Sequence, residues 1–173
     1  MKKLLSTLAI LTLTAGLATA GDWSKNPVEK NPIPVGCACF DPGFEFSGFI
    51  AGGIPDNGDS ELGGGASASY FFTENVGVEL SYAVLAFDSE EHVITGNLVY
   101  RMPLKDLCIA PYLLVGGGLL TNSATDGLFD VGGGLDIRFD SMGCLGLFAD
   151  ATYNWVDGDR DFTLIRSGVR VRF

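Results

Sequence analysis

The sequence has few basic residues, a single histidine and only four cysteines, and after its first twenty residues it has no long unbroken apolar run. Each shortage excludes something. Eleven Lys and Arg stand against twenty-one Asp and Glu, so the chain has no general attraction to nucleic acid, although it can bind cations or basic partners. With His92 alone, a histidine-based metal cluster is excluded. The longest late apolar stretch, 107–120, is broken by Pro111 and by Gly116-Gly117-Gly118, so no later segment reads as a spanning helix. No Lys-Ser or Lys-Thr follows any glycine run, which removes the phosphate-loop reading.

What is present is hydrophobic: 47 % of residues are apolar, with twelve phenylalanines and twenty-four glycines. Met1-Lys2-Lys3, the apolar stretch 4–17 and Ala18-Thr19-Ala20 have the form of a cleaved secretory signal over 1–20. Removing it would leave nine basic and twenty-one acidic residues, a net charge of −12. A hydrophobic exported chain without spanning helices points to the other structure a bilayer permits, a closed β-barrel.

Period-two alternation tests that idea. In 162–173, Ile165, Val169, Val171 and Phe173 share one face, and Arg166, Gly168, Arg170 and Arg172 the other. The same pattern places Asp150 inward in 145–156, Asp130, Asp136 and Arg138 inward in 128–139, Glu79 in 76–87, Arg101 in 92–102 and Glu45 in 44–53. The segments 62–72 and 109–120 alternate between small and large residues. The prediction is an all-β, antiparallel, eight-stranded transmembrane barrel over 44–173 with a filled polar lumen, preceded by a Pro-rich segment over 21–43. Its inward charges are five acids (Glu45, Glu79, Asp130, Asp136, Asp150) and five bases (Arg101, Arg138, Arg166, Arg170, Arg172), as pairing in a narrow lumen requires. The lipid-facing positions carry no charge. Aromatics gather at two levels: Phe44, Phe46, Tyr70, Phe72, Tyr100, Phe139 and Phe173 at the terminal end, and Phe129, Tyr153 and Trp155 at the other.

The last eight residues, Arg-Ser-Gly-Val-Arg-Val-Arg-Phe, match the C-terminal signal of bacterial outer-membrane proteins at Arg166, Gly168, Val171 and Phe173. With the export signal and the eight strands, the chain resembles the small barrels related to the OmpA transmembrane domain, OmpX and the opacity-type proteins. That resemblance implies insertion by the outer-membrane assembly machinery, contact with membrane lipid and lipopolysaccharide, and both termini in the periplasm. Adhesive members of these families bind through long outer loops, whereas the outer connections here are short.

Cys37, Cys39, Cys108 and Cys144 all fall on the periplasmic side of this topology. An oxidising compartment and an even count favour disulfides. Cys108 and Cys144 lie two strand spacings apart, too far to bridge each other. The expectation is that the N-terminal segment folds across the mouth, pairing Cys37 and Cys39 with Cys108 and Cys144 in an order left open. A Cys-based metal site is the rival.

The outer connections are acidic: Asp56, Asp59 and Glu61; Asp88, Glu90 and Glu91; Asp126; and Asp157, Asp159 and Asp161, opposed only by Arg160. They suit a solvated rim, with weak divalent-cation binding at Asp157, Asp159 and Asp161 as the sharper reading. His92 lies near Ser89, Glu90 and Glu91, but no His-x-Ser follows it. No cofactor is implied. The leading expectation is a non-enzymatic structural or surface-interaction barrel, with a low-conductance channel second and an outer-leaflet lipid enzyme third. The repeated Val-Gly-Gly-Gly-Leu, at 115–119 and 131–135, is expected to be two halves of one hairpin sharing a thin patch of wall.

Overall fold

The computed structural model describes residues 37–173, apart from 57, 58, 87–89, 123 and 159. The export signal, the segment 21–36 and Asp88, Ser89 and Asp159 therefore lie outside the described residues. Eight antiparallel strands close into one barrel in sequence order. They are β1 (Gly43–Pro55), β2 (Glu61–Phe71), β3 (Val76–Ala86), β4 (Glu90–Arg101), β5 (Ile109–Thr121), β6 (Thr125–Phe139), β7 (Leu145–Val156) and β8 (Phe162–Arg172). One turn of 3-10 helix, Asp140–Met142, joins β6 to β7.

Alternation in sequence becomes alternation in burial. In β3 the exposed Val78, Leu80 and Tyr82 interleave with the buried Glu79, Ser81 and Ala83. Along this part of the wall charge is inside and the large apolar side chains outside, the reverse of a soluble sheet. Both aromatic levels are present on the outer face, with Phe44 on Tyr70 at 4.7 Å, Phe46 on Phe173 at 5.6 Å, and Trp155 between Tyr153 at 4.9 Å and Phe129 at 5.6 Å.

The register fixes the tilt. Stepping between paired residues from Glu45 leads through Ser69, Glu79, Asn97, Gly116, Asp130, Asn154 and Phe162, and returns to β1 at Pro55. The path comes back ten residues further along. For eight strands that stagger corresponds to a tilt of about 40°. The row from Glu45 to Phe162 thus climbs from the terminal rim to the opposite one.

The glycine repeats are not one shared patch. Val115 pairs with Val131, so Gly116, Gly117 and Gly118 face Asp130, Phe129 and Leu128, while Gly132, Gly133 and Gly134 face Leu114, Leu113 and Tyr112. Antiparallel register staggers the two runs past each other. What they share is close approach to a neighbouring strand. A Cβ at Gly118 would overlap the Ile94 carbonyl, and one at Gly132 the Ala151 carbonyl. Inward glycines also leave room for neighbouring side chains: the Tyr112 ring lies 2.8 Å from a Cβ built at Gly134, the Phe49 ring 2.8 Å from one at Gly65, and the Phe49 Cβ 2.7 Å from one at Gly168.

Candidate functional site: the lumen and its two closures

The middle of the lumen holds one continuous chain of alternating charge. Arg101 Nη1 donates to Glu45 Oε1 at 2.9 Å, and Glu45 Oε2 accepts from Arg138 Nη2 at 2.6 Å. Arg138 grips Asp136 at both oxygens, 2.7 and 2.6 Å. Asp136 Oδ2 meets Arg170 Nη1 at 3.2 Å, and Arg170 Nη2 meets Glu79 Oε2 at 3.1 Å. Glu79 Oε1 lies 3.0 Å from Arg166 Nη2, and Arg166 holds Asp150 at 2.8 and 2.9 Å. Tyr112 closes the chain by donating to Asp150 at 2.6 Å. All eight ionised side chains are buried. Four arginines alternate with four carboxylates, so the chain carries no net charge.

Aromatic rings line the arginines. Arg101 lies 3.7 Å over Phe71, Arg170 4.6 Å over Phe148 and Arg166 5.2 Å over Phe49. Away from water a guanidinium is stabilised by ring faces as well as by carboxylates.

Two expected members stand outside this charge chain. Arg172 is not in the lumen. It sits at the terminal rim, partly exposed, and donates to the Ala38 and Pro42 carbonyls and to Asp41 at 3.2–3.4 Å. It is the last residue of β8, where the wall ends. Asp130 is in the lumen and buried, but neither of its oxygens has a hydrogen-bond partner. Among the described residues the inward tally is therefore five acids and four bases.

The terminal mouth is closed by the segment 37–42. Cys37 is bonded to Cys108 and Cys39 to Cys144, each pair with Cα atoms 5.2 Å apart. Cys108 and Cys144 both have left-handed backbones, φ 53° and 62°, immediately before β5 and β7. A non-glycine residue holds that conformation only where its surroundings impose it. Phe40 is buried in one cluster with the two pins; Arg101 and Arg138 lie 5.1 and 5.6 Å from its ring, and its carbonyl accepts from Arg101 Nη2 at 3.1 Å. Cys39 Sγ also lies 2.9 Å from Asp140 Oδ1.

The opposite mouth is closed by apolar side chains, which the alternation pattern did not reveal. Leu85, Val93, Leu120, Leu128, Val156, Phe162 and Leu164 are buried in one cluster, with Ala51 and Ala83. A signal for it exists in the sequence: at these strand ends both faces are apolar, as in Val84-Leu85, Leu119-Leu120 and Leu128-Phe129.

Above that cluster, Arg160 contacts Asp126, and Glu91 at 3.5 Å, while Tyr153 donates to Asp56 at 2.8 Å. Asp161 Oδ1 accepts from the Val156 amide at 2.9 Å, so part of the acidic turn is used locally. The His92 Nδ1 partner is the Tyr82 hydroxyl, 2.8 Å away, with the two rings stacked. No Ser-His-carboxylate arrangement forms among the described residues.

The model of the outer membrane protein beta-barrel domain family matches residues 6–173. The chain belongs to that family. Membership carries bacterial outer-membrane localisation with it. Similar solved structures include Neisserial surface protein A, 18 % identical with a TM-score of 0.62 over 76 % of this chain and 97 % of that one. The N-terminal β-barrel domain of Pseudomonas aeruginosa OprF is 16 % identical with a TM-score of 0.60, over 77 % and 100 %. Ail, the attachment invasion locus protein of Yersinia pestis, is 17 % identical with a TM-score of 0.52, over 76 % and 97 %. At such identities the likeness is one of fold. No curated protein matches the sequence.

Proposed function

We propose that the protein is a closed, non-catalytic outer-membrane barrel with a structural and surface-interaction role, both termini facing the periplasm. The observation that carries this reading is the double closure: a fully buried charge chain between a disulfide-pinned plug and an apolar plug. Permeating ions would need to break paired arginines and wet a cluster of leucines, both costly. The oxidising periplasm suits the rim that bears all four cysteines. At the outer rim, short acidic connections with one arginine suit divalent cations bridging to lipopolysaccharide. Ail was also solved with the heparin analogue sucrose octasulfate; the acidic rim here disfavours such a polyanion unless a cation intervenes.

Purified protein in planar bilayers tests the closed-barrel reading. The expected record is leak only. Discrete, reproducible conductance steps would overturn it in favour of a small channel.

A further inference from the structure

The charge chain is neutral, and Asp130 stands outside it. Its carboxylate is buried with both oxygens unpartnered. Arg166 is the cation that interacts with it, yet that guanidinium is committed to Asp150, Glu79 and the Ser81 hydroxyl. An ionised carboxylate left this way is among the costliest features a protein interior can hold.

Asp130 is flanked by further unmet acceptors. Asn154, its direct partner on β7, is buried with Oδ1 unsatisfied, while its Nδ2 donates to Thr152 and Phe162. Asn97 Oδ1 is also buried and unsatisfied, and it occupies the place a Cβ at Gly116 would take. Gly116 is the direct partner of Asp130 on β5. The row Asn97, Gly116, Asp130, Asn154 therefore carries two carboxylate and two amide oxygens without donors, and its glycine makes room for the Asn97 oxygen beside Asp130.

We propose that this row binds a small monovalent cation of the alkali-metal class. A proton would let one carboxylate oxygen donate to one amide oxygen, leaving the other carboxylate oxygen and the second amide oxygen without a donor. A water molecule offers only two hydrogens and no charge. A hard cation accepts several oxygen ligands at once. One positive charge makes the lumen neutral, whereas a divalent ion would leave an excess positive charge beside Arg166.

The test uses the mature protein refolded from urea into detergent micelles, so that the site loads during folding. Urea unfolding is compared in sodium chloride and in N-methyl-D-glucamine chloride at equal ionic strength. Sodium should raise the folding constant of the wild type on the order of tenfold, as for an ion at about ten times its dissociation constant. Asp130→Asn should show no difference between the salts. A wild-type series in lithium, sodium, potassium and caesium chlorides covers the case in which the variant does not refold; a site selects by size and screening does not. Equal stability in all these salts, or the same sodium effect in Asp130→Asn, would overturn the proposal and leave a proton or water at Asp130.

Discussion

Arg170 is the joint of the lumen network, and its removal has a calculable cost. It is buried, contacts Asp136 at 3.2 Å, Glu79 at 3.1 Å and Glu45 at 3.8 Å, and donates to the Ser47 hydroxyl at 2.9 Å. Arg170→Met keeps an apolar stem but deletes the guanidinium that lies 4.6 Å from the Phe148 ring and 5.6 Å from Tyr112. Breaking a buried pair typically costs about 3–5 kcal/mol because the partner is left buried and unpaired. Here the partners are partly insured: Asp136 keeps Arg138 at both oxygens, and Glu79 keeps Arg166. That places the pairing loss near the lower end, about 3 kcal/mol. The lost stacking adds about 1 kcal/mol. The expected total is a loss of about 4 kcal/mol. Adding Glu79→Gln to Arg170→Met restores neutrality and should recover about 2 kcal/mol, although Glu79→Gln alone destabilises. The assay is urea unfolding in micelles, read by tryptophan fluorescence and by the gel mobility of unheated samples. A loss below about 1 kcal/mol for Arg170→Met, or a double variant no better than the single, would refute a charge-paired lumen.

Peptide mapping without reduction should recover Cys37 joined to Cys108 and Cys39 joined to Cys144; the crossed pairing would contradict the plug geometry. Cys39→Ser with Cys144→Ser should cost about 2–4 kcal/mol and speed proteolysis after Phe40, with no change in proteolysis if the plug does not depend on this pin. Gly118→Ala should destabilise strongly because its Cβ overlaps the Ile94 carbonyl, while Gly96→Ala, on the neighbouring strand with nothing within 4 Å, should shift the unfolding midpoint little; equal effects would mean that backbone approach is not what selects glycine.

The fold was legible because lipid acts on every second residue. Wherever the wall meets acyl chains, a polar residue is excluded from one face, and that exclusion writes the strand directly into the sequence. Strand ends obey a different rule. β6 runs back to Thr125 because Thr121 and Thr125 pair across the hairpin, and pairing outside the membrane leaves no hydrophobic mark. The same limit explains Arg172, which continues the inward alternation of Arg166 and Arg170 one step past the edge of the wall. The glycine runs depart from expectation for another reason: similar sequence does not imply adjacency, because antiparallel strands place equal residues opposite only about a centre of symmetry, here Val115 and Val131.

The apolar plug was hidden by an ambiguity of chemistry. Inward and outward leucines look alike, so an apolar run at a strand end is silent about which side is being filled. Once the plug is placed, the lumen divides into unequal parts: a pinned peptide at one mouth, leucines at the other, and charge only between them. Sealing both ends removes the water that would otherwise screen the arginines and carboxylates. Each pair then becomes stronger and each unpaired group costlier. A barrel built this way tolerates ionised residues only in neutral sets, which is why, among the described residues, eight of the nine lumen charges form a neutral set and the ninth, Asp130, calls for a partner from outside the chain.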